Sequence, residues 1–353
     1  MAVIFSLKPV PWPTSSNKQE GGESQKSKKY DISYSYDVPG KGKVHVTAPF
    51  IDRISITVPV TSNERQGMIV DMLNLDAKDD ENPHVKHAEK KGGYKYAADI
   101  VDPKTNEKVL VQACPTNPGI SFARLEFNPA RLGADGVNAF KVTLAYLSNG
   151  ALTWSDVLNA GKATRIDATV DLLNVPMAAL LCQSQKVGKL HIYVGPSGEP
   201  ETLYSGIALK GKNSNQLVYD KAQHEMDKDL PADYGGNRAR VEMIYKYPNQ
   251  MLSKIASIKT NPFEWVTIFH PFAVPAGIDE LSWSLFLDSC RLRGVTNAKT
   301  RIPDDMREII ELHLDAVAAT TWKPKKLWNA WPAAVKKSAL LEPGPTEVFS
   351  LSN

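Results

Sequence analysis

What this chain has little of narrows its reading before any motif is weighed. Cysteine occurs three times, at Cys114, Cys182 and Cys290, widely spaced and with no C-x-x-C pair. That number and spacing support neither a disulfide framework nor a zinc module. Long hydrophobic runs are missing: no apolar stretch reaches the ~18–20 residues that would span a bilayer. The opening residues 1–7 are apolar but lack a basic leader and are cut short by Lys8 and the prolines after it, so they do not read as a signal peptide. No Gly-rich phosphate-binding loop of the helicase kind is present. The net charge of +3 is too mild to announce a nucleic-acid binder, so any basic surface must be local. The expectation is a cytoplasmic protein with no membrane partner.

What is there fits an ordinary globular chain of 353 residues, 42% apolar and 23% charged, long enough for two or three domains. Residues 1–29 are polar and proline-bearing and read as a flexible leader. An N-terminal α+β unit is expected over 30–160, a second over 161–260, and a mainly helical region over 261–353. Hairpin strands flank Pro39-Gly40-Lys41-Gly42, a strand follows over 52–60, and apolar spacing predicts a helix over 64–75. A charged loop is expected over 76–93, strands over 108–113 and 120–128, and helices over 136–147 and 154–159. Further on, the pattern predicts a helix over 175–182, strands over 189–194, 201–207, 215–221 and 238–245, a helix over 248–258, an aromatic packing segment over 263–272, and helices over 281–293 and 304–322. The two halves resemble each other, Arg53–Val58 with Ala123–Phe127 against Arg165–Val170 with Ala239–Met243, which implies two tandem units sharing a sheet.

The stretch 163–247 puts polar residues where a strand buried on both faces has none. Side chains alternate along a strand, so Arg165, Asp167, Thr169 and Asp171 share one face and Ile166, Ala168 and Val170 the other. Arg238, Arg240 and Glu242 likewise oppose Ala239, Val241 and Met243. Carboxylates on neighbouring strands are what Mg2+ or Mn2+ needs, because such ions prefer oxygen ligands; Asp167, Asp171 and Glu242 are the candidates. On spacing alone, Arg165 and Arg240 pairing with these acids is the favoured alternative.

Tyr204 lies in Thr202-Leu203-Tyr204-Ser205-Gly206, where Thr202, Tyr204 and Gly206 share a side. A tyrosine phenol can attack a phosphodiester when cations stabilise the developing charge. Lys221 is a point charge fit for a phosphate, Asn213 sits in a polar turn, and Glu225 is either a further acid or the partner of Lys221. Near the C-terminus, Lys323, Lys325 and Lys326 interleave with Trp322, Trp328 and Trp331. That mixture suits phosphates and bases, but tryptophans docking a tail on the body is the favoured reading.

In order, Arg165-x-Asp167-x-x-x-Asp171, Thr202-x-Tyr204-x-Gly206, Tyr219-Asp220-Lys221 with Glu225, and Arg240-x-Glu242 resemble the motifs of the rolling-circle replication initiators of plasmids and phages grouped as replication initiation factors, relatives of some mobile-element relaxases. The likeness covers about 85 residues. It implies RRM-like α+β units with an antiparallel sheet and a metal-dependent enzyme that nicks and rejoins DNA through a 5′-phosphotyrosine intermediate. Tyr204 would be the nucleophile, with Tyr219 as fallback. Asp167, Glu242 and in some readings Asp171 would hold the metal, Lys221 and Arg240 would neutralise the scissile phosphate, and Arg165, Thr202, Asn213 and the C-terminal lysines would contact DNA. The better-known relaxases bind metal through a His-apolar-His strand; His191-Ile192-Tyr193 lacks the second histidine, and this family uses carboxylates instead. Implied partners are origin DNA, duplex or cruciform, the nicked single strand, a host helicase and a second copy in a homodimer. The competing readings are a non-catalytic DNA-binding protein on the same fold, a relaxase for conjugative transfer, and a hydrolase that uses water and no covalent tyrosine.

Overall fold

Alternation of apolar and polar side chains makes strands the dominant element of this chain, and most of them join one sheet. The computed structural model describes residues 30–60, 62–78, 85–87, 93–117, 119–148, 150–185, 189–196, 198–207, 214–230 and 234–344; the expected leader and Asn213 lie outside them. In chain order come β1 (Ile32–Val38), β2 (Gly42–Thr47), β3 (Phe50–Pro59), α1 (Asn63–Lys78), β4 (Val85–His87), β5 (Tyr94–Val101), β6 (Lys108–Pro115), β7 (Phe122–Phe127), α2 (Pro129–Leu147), α3 (Trp154–Ala160) and β8 (Lys162–Leu173). Next are β9 (Leu181–Ser184), β10 (Lys189–Val194), β11 (Pro200–Ile207), β12 (Ser214–Asp220), α4 (Lys221–Asp227), β13 (Arg238–Met251) and β14 (Val266–Phe269). Helices α5 (Glu280–Arg293), α6 (Val295–Lys299), α7 (Asp304–Thr321), α8 (Pro324–Asn329) and α9 (Trp331–Lys337) close the described chain.

Twelve strands form one sheet, in the order β10-β11-β12-β13-β8-β3-β7-β6-β5-β4, with the β1–β2 hairpin joined to it through β2 and β8. Every pairing in it is antiparallel. Read outward from the β8–β3 seam, both sides have the same path: the first strand of a half, then its last, then the others in reverse chain order. The internal likeness of the sequence halves therefore has a topological counterpart. The β8–β3 seam joins the strands of the two halves in one sheet.

One face of this sheet is the core. Ile54 and Ile56 of β3, Ile166, Ala168 and Val170 of β8, and Val241 and Met243 of β13 are all buried and join a single cluster with Leu144, Trp154 and Val157 of the covering helices. Each such aliphatic side chain contributes ~1.5–3 kcal/mol by leaving water. Helix α3 starts on a capping box between Thr153 and Asp156 and stops at Gly161. A Cβ at Gly161 would stand 2.3 Å from the Val157 carbonyl oxygen, so only glycine allows the turn that launches β8.

Some expected helices take other forms. Pro176 caps only a short 3-10 turn, Met177–Ala179, and the chain then goes into β9, whose alternation is satisfied by β14. The expected helix over 248–258 is instead the end of β13 and a 3-10 turn, Leu252–Ser257; a register break between Lys246 and Gln250 accommodates Pro248, which has no N–H for a ladder. The charged segment after α1 contains β4. Helices α5 to α7 form a second cluster around Leu181 and Phe269. Among the described residues no helix is long and apolar enough to cross a membrane.

Candidate nucleic-acid site on the polar sheet face

The opposite face of the central strands collects the polar residues. Directly paired residues of antiparallel strands stand on the same face, and register orders them in rows. Tyr204 of β11, Leu217 of β12, Glu242 of β13 and Thr169 of β8 form one row; Thr202, Tyr219, Arg240 and Asp171 form the next. Asp167 and Arg165 continue along β8 opposite Arg53 and Ser55 of β3. With strands ~4.8 Å apart, Tyr204 and Glu242 have Cα atoms roughly 10 Å apart. The face extends into the other half, where Glu126 of β7 is held by Arg53, Arg124 and Ser55. Burial works against the Glu126 charge, but Arg53 and Arg124 keep its carboxyl below the usual range.

Ion pairs claim much of the central acid. Both Asp171 oxygens are taken by Arg240, at 2.6 and 3.0 Å. Arg165 donates to both oxygens of Asp167, at 2.8 Å and 2.6 Å for the shortest contact to each. Both acids are thus paired with arginines, as the arginine-pairing alternative has it. Glu242 differs: its Oε1 accepts from Tyr219 Oη at 2.7 Å. Burial, and then the nearby Asp52 carboxylate, push Glu242 up to about 7. Burial also raises Asp167 despite its arginine.

The Tyr-Asp-Lys motif has a local cause. Tyr219 ends β12 on the polar face, Asp220 caps α4 by accepting from Gln223 N–H at 2.9 Å, and Lys221 is thereby the first helical residue. Glu225, one turn on, lies 3.6 Å from Lys221 Nζ and also pairs with Arg238. Burial and then Arg240 hold the Lys221 ammonium below its usual range.

Tyr204 is half-buried and packs edge-on against Tyr193, ring centroids 5.6 Å apart. Burial raises its phenol, with Tyr193 and Glu242 adding to the effect. Tyr219 is buried and its phenol is pushed far above its ordinary value, again by burial first.

Sequence reasoning missed two residues here. Asp52 stands at the β3 register break on the seam and accepts from Arg240 Nη1 at 3.0 Å and Asn128 Nδ2 at 3.1 Å. Its position just ahead of Arg53, within the repeat, was the available signal. His191 of β10 is exposed and pairs directly with Tyr204; the sequence set it aside because His191-Ile192-Tyr193 lacks the second histidine of a metal pair, and its cross-strand partner decided its place. Of the predicted set, Arg165, Asp167, Asp171, Thr202, Tyr204, Arg240 and Glu242 share the face, with Lys221 at its edge. Lys323 and Lys326 are elsewhere, over the Tyr34 ring of β1, at 5.3 and 5.8 Å. The indoles of Trp322, Trp328 and Trp331 donate to backbone carbonyls of Phe263, Ile258 and Ile255, so they dock the tail rather than offering stacking surfaces.

An oxygen-only donor set suits a hard divalent ion, and Glu242, whose carboxylate has a phenol but no cation bonded to it, suits one best. Among the described residues no three acid, histidine or cysteine side chains are grouped to share an ion. Such an ion would therefore rest on one or two carboxylates and keep waters, as magnesium usually does.

No protein-family model matches the chain, and no curated protein does. Among solved structures the chain is similar to a rolling circle replication initiator protein from Geobacillus stearothermophilus, at 13% identity, over 71% of this chain and 98% of that one, with a TM-score of 0.36. That likeness is too loose to carry fold or residue roles from one chain to the other.

Proposed function

We propose that this protein initiates rolling-circle replication by nicking and rejoining DNA through a phosphotyrosine at Tyr204. The observation that carries this reading is the register row that puts Tyr204, with His191 across from it, on the same face as Glu242 and Asp167. Four short motifs spread over some 80 residues of sequence thus meet on one polar face.

In this reading Tyr204 Oη attacks the scissile phosphorus, the P–O bond to the 3′ oxygen breaks as that oxygen takes a proton from water, and the 5′ phosphate stays on the tyrosine; reversal by the 3′ hydroxyl rejoins the strand. A raised phenol must give up its proton as it attacks, and His191, its cross-strand neighbour, accepts it. A magnesium or manganese ion held by Glu242 and Asp167 would supply charge neutralisation at the phosphate. Lys221 adds positive charge at the edge of the site, and Arg240, fixed by Asp171 and Asp52, orients that edge. The two sheet halves are then the tandem RRM-like units of the initiator family. DNA is the partner; a helicase and a second copy belong to the same proposal.

The test is incubation with supercoiled origin DNA and manganese, which should give nicked circles carrying covalently attached protein. If Tyr204→Phe still forms the adduct, the nucleophile is misassigned. Cleavage without any adduct would favour a hydrolase, and binding without cleavage a non-catalytic DNA-binding protein.

A further inference from the structure

Beside the acid face a cavity of 340 Å³ opens where β3, α2, α4 and α9 meet. Its charged lining is balanced among the described residues: Arg131, Lys221, Arg240 and Lys337 against Asp31, Asp52, Asp171 and Glu225. Most of these already answer one another. Arg240 is held by Asp171 and Asp52, Lys337 by Asp31, and Arg131 by Glu107.

Two hydrogen-bonding positions are left over. Lys221, 3% exposed, lies 3.6 Å from Glu225, beyond hydrogen-bond distance, and although Glu225 Oε1 also pairs with Arg238, its Oε2 is buried with no hydrogen bond. The Lys221 ammonium and this one Glu225 oxygen thus each lack a hydrogen bond beside the cavity. The remaining wall is apolar, with Pro49, Phe50, Pro129 and Ala130, and the Phe50 ring is already stacked by the Arg240 guanidinium at 5.1 Å.

A neutral lining with one open donor and one open acceptor does not suit a polyphosphate. It suits a flat, uncharged heterocycle. Every nucleobase has a hydrogen-bond acceptor next to a donor on its Watson–Crick edge, and that edge is free only when the base is unpaired. We propose that this cavity takes one unpaired nucleobase of the DNA strand, its edge on Lys221 and Glu225 and its body against Phe50 and the prolines. The proposal rests on the DNA-nicking reading and adds to it a built preference for single strand beside the cut. The three N–H donors of Lys221 are enough to serve a neighbouring phosphate and the base edge together.

The test uses the full chain and two fluorescent heptamers with the same phosphates, one of seven thymidines and one of seven abasic residues, read by anisotropy at fixed salt. Unmodified protein should bind the thymidine heptamer at least about tenfold more tightly, in line with the worth of one stacked base. Ala130→Leu and Ala134→Leu each fill the cavity without touching a charge, and either should bring the two heptamers within about twofold; having two keeps the test alive if one variant fails to fold. Equal binding of both heptamers by unmodified protein overturns the proposal, as does a preference that survives the filled cavity. Nicking with no base preference would remove the pocket and leave the nickase reading; base preference with no nicking would do the reverse.

Discussion

Tyr219 Oη donates a 2.7 Å hydrogen bond to Glu242 Oε1, and on the next strand Tyr204 stands in the same register row as that glutamate. The two tyrosines of the motif set thus hold different positions: one is buried and bonded to the acid, the other half-buried on the open face.

Tyr219→Phe should leave a buried carboxylate without its donor and cost about 1–3 kcal/mol of stability. It should still form the covalent DNA adduct, whereas Tyr204→Phe should keep stability and lose the adduct. Denaturant unfolding together with gel detection of protein–DNA adducts separates these outcomes; adduct formation lost only in Tyr219→Phe would exchange the two roles.

His191 faces Tyr204 from an exposed edge strand, so His191→Ala should scarcely change folding. It should slow adduct formation on the order of 100-fold if the imidazole takes the phenol proton, the usual scale for a general base. Single-turnover nicking rates measure this, and an unchanged rate would remove His191 from the mechanism.

Glu242 gives a pH dependence of stability with a definite sign. Its carboxyl rises from 4.5 to about 7 on folding, so between those values the folded chain holds a proton that the unfolded chain has released. Stability of the metal-free protein should therefore fall as pH rises through that window, by on the order of 3 kcal/mol from this group alone. Buried His270, pushed down to about 4 by its burial, opposes this: the unfolded chain binds the extra proton, so stability falls as pH drops below 6.5. Comparing unmodified protein with Glu242→Gln at pH 5 and pH 8 isolates the first effect, because the difference between them should change with pH in favour of the variant at pH 8.

Trp331 is 1% exposed, stacks on Trp328 at 4.8 Å and donates to the Ile255 carbonyl at 2.9 Å. Trp331→Ala should cost ~3–5 kcal/mol by leaving a cavity under the C-terminal helices. Lys325→Ala, at an exposed position, should cost almost nothing, and thermal melts of the two variants check the contrast.

Much of the central strands was legible because their signal is local. The alternation Arg165, Asp167, Thr169, Asp171 needs only a neighbour on either side to be read, whereas the strand expected over 215–221 gives way after Asp220, which caps α4. The segments 175–182 and 248–258 misled because each has helical apolar spacing, while β-pairing with β14 in one case and continuation of β13 in the other satisfied the same residues better. The Trp and Lys mixture over 322–337 carried two meanings, and burial of the indoles chose docking.

By itself, then, the sequence determined which side chains share a face within each strand, because that depends on a period of two and nothing else. Only the tertiary structure decided which faces meet. Register between strands far apart in the chain set Tyr204 in line with Glu242, the seam brought Asp52 from the other half onto Arg240, and the fold left Lys221 and Glu225 with unspent hydrogen-bonding groups at a cavity wall. Those relationships come from long-range pairing and burial, which no local pattern encodes.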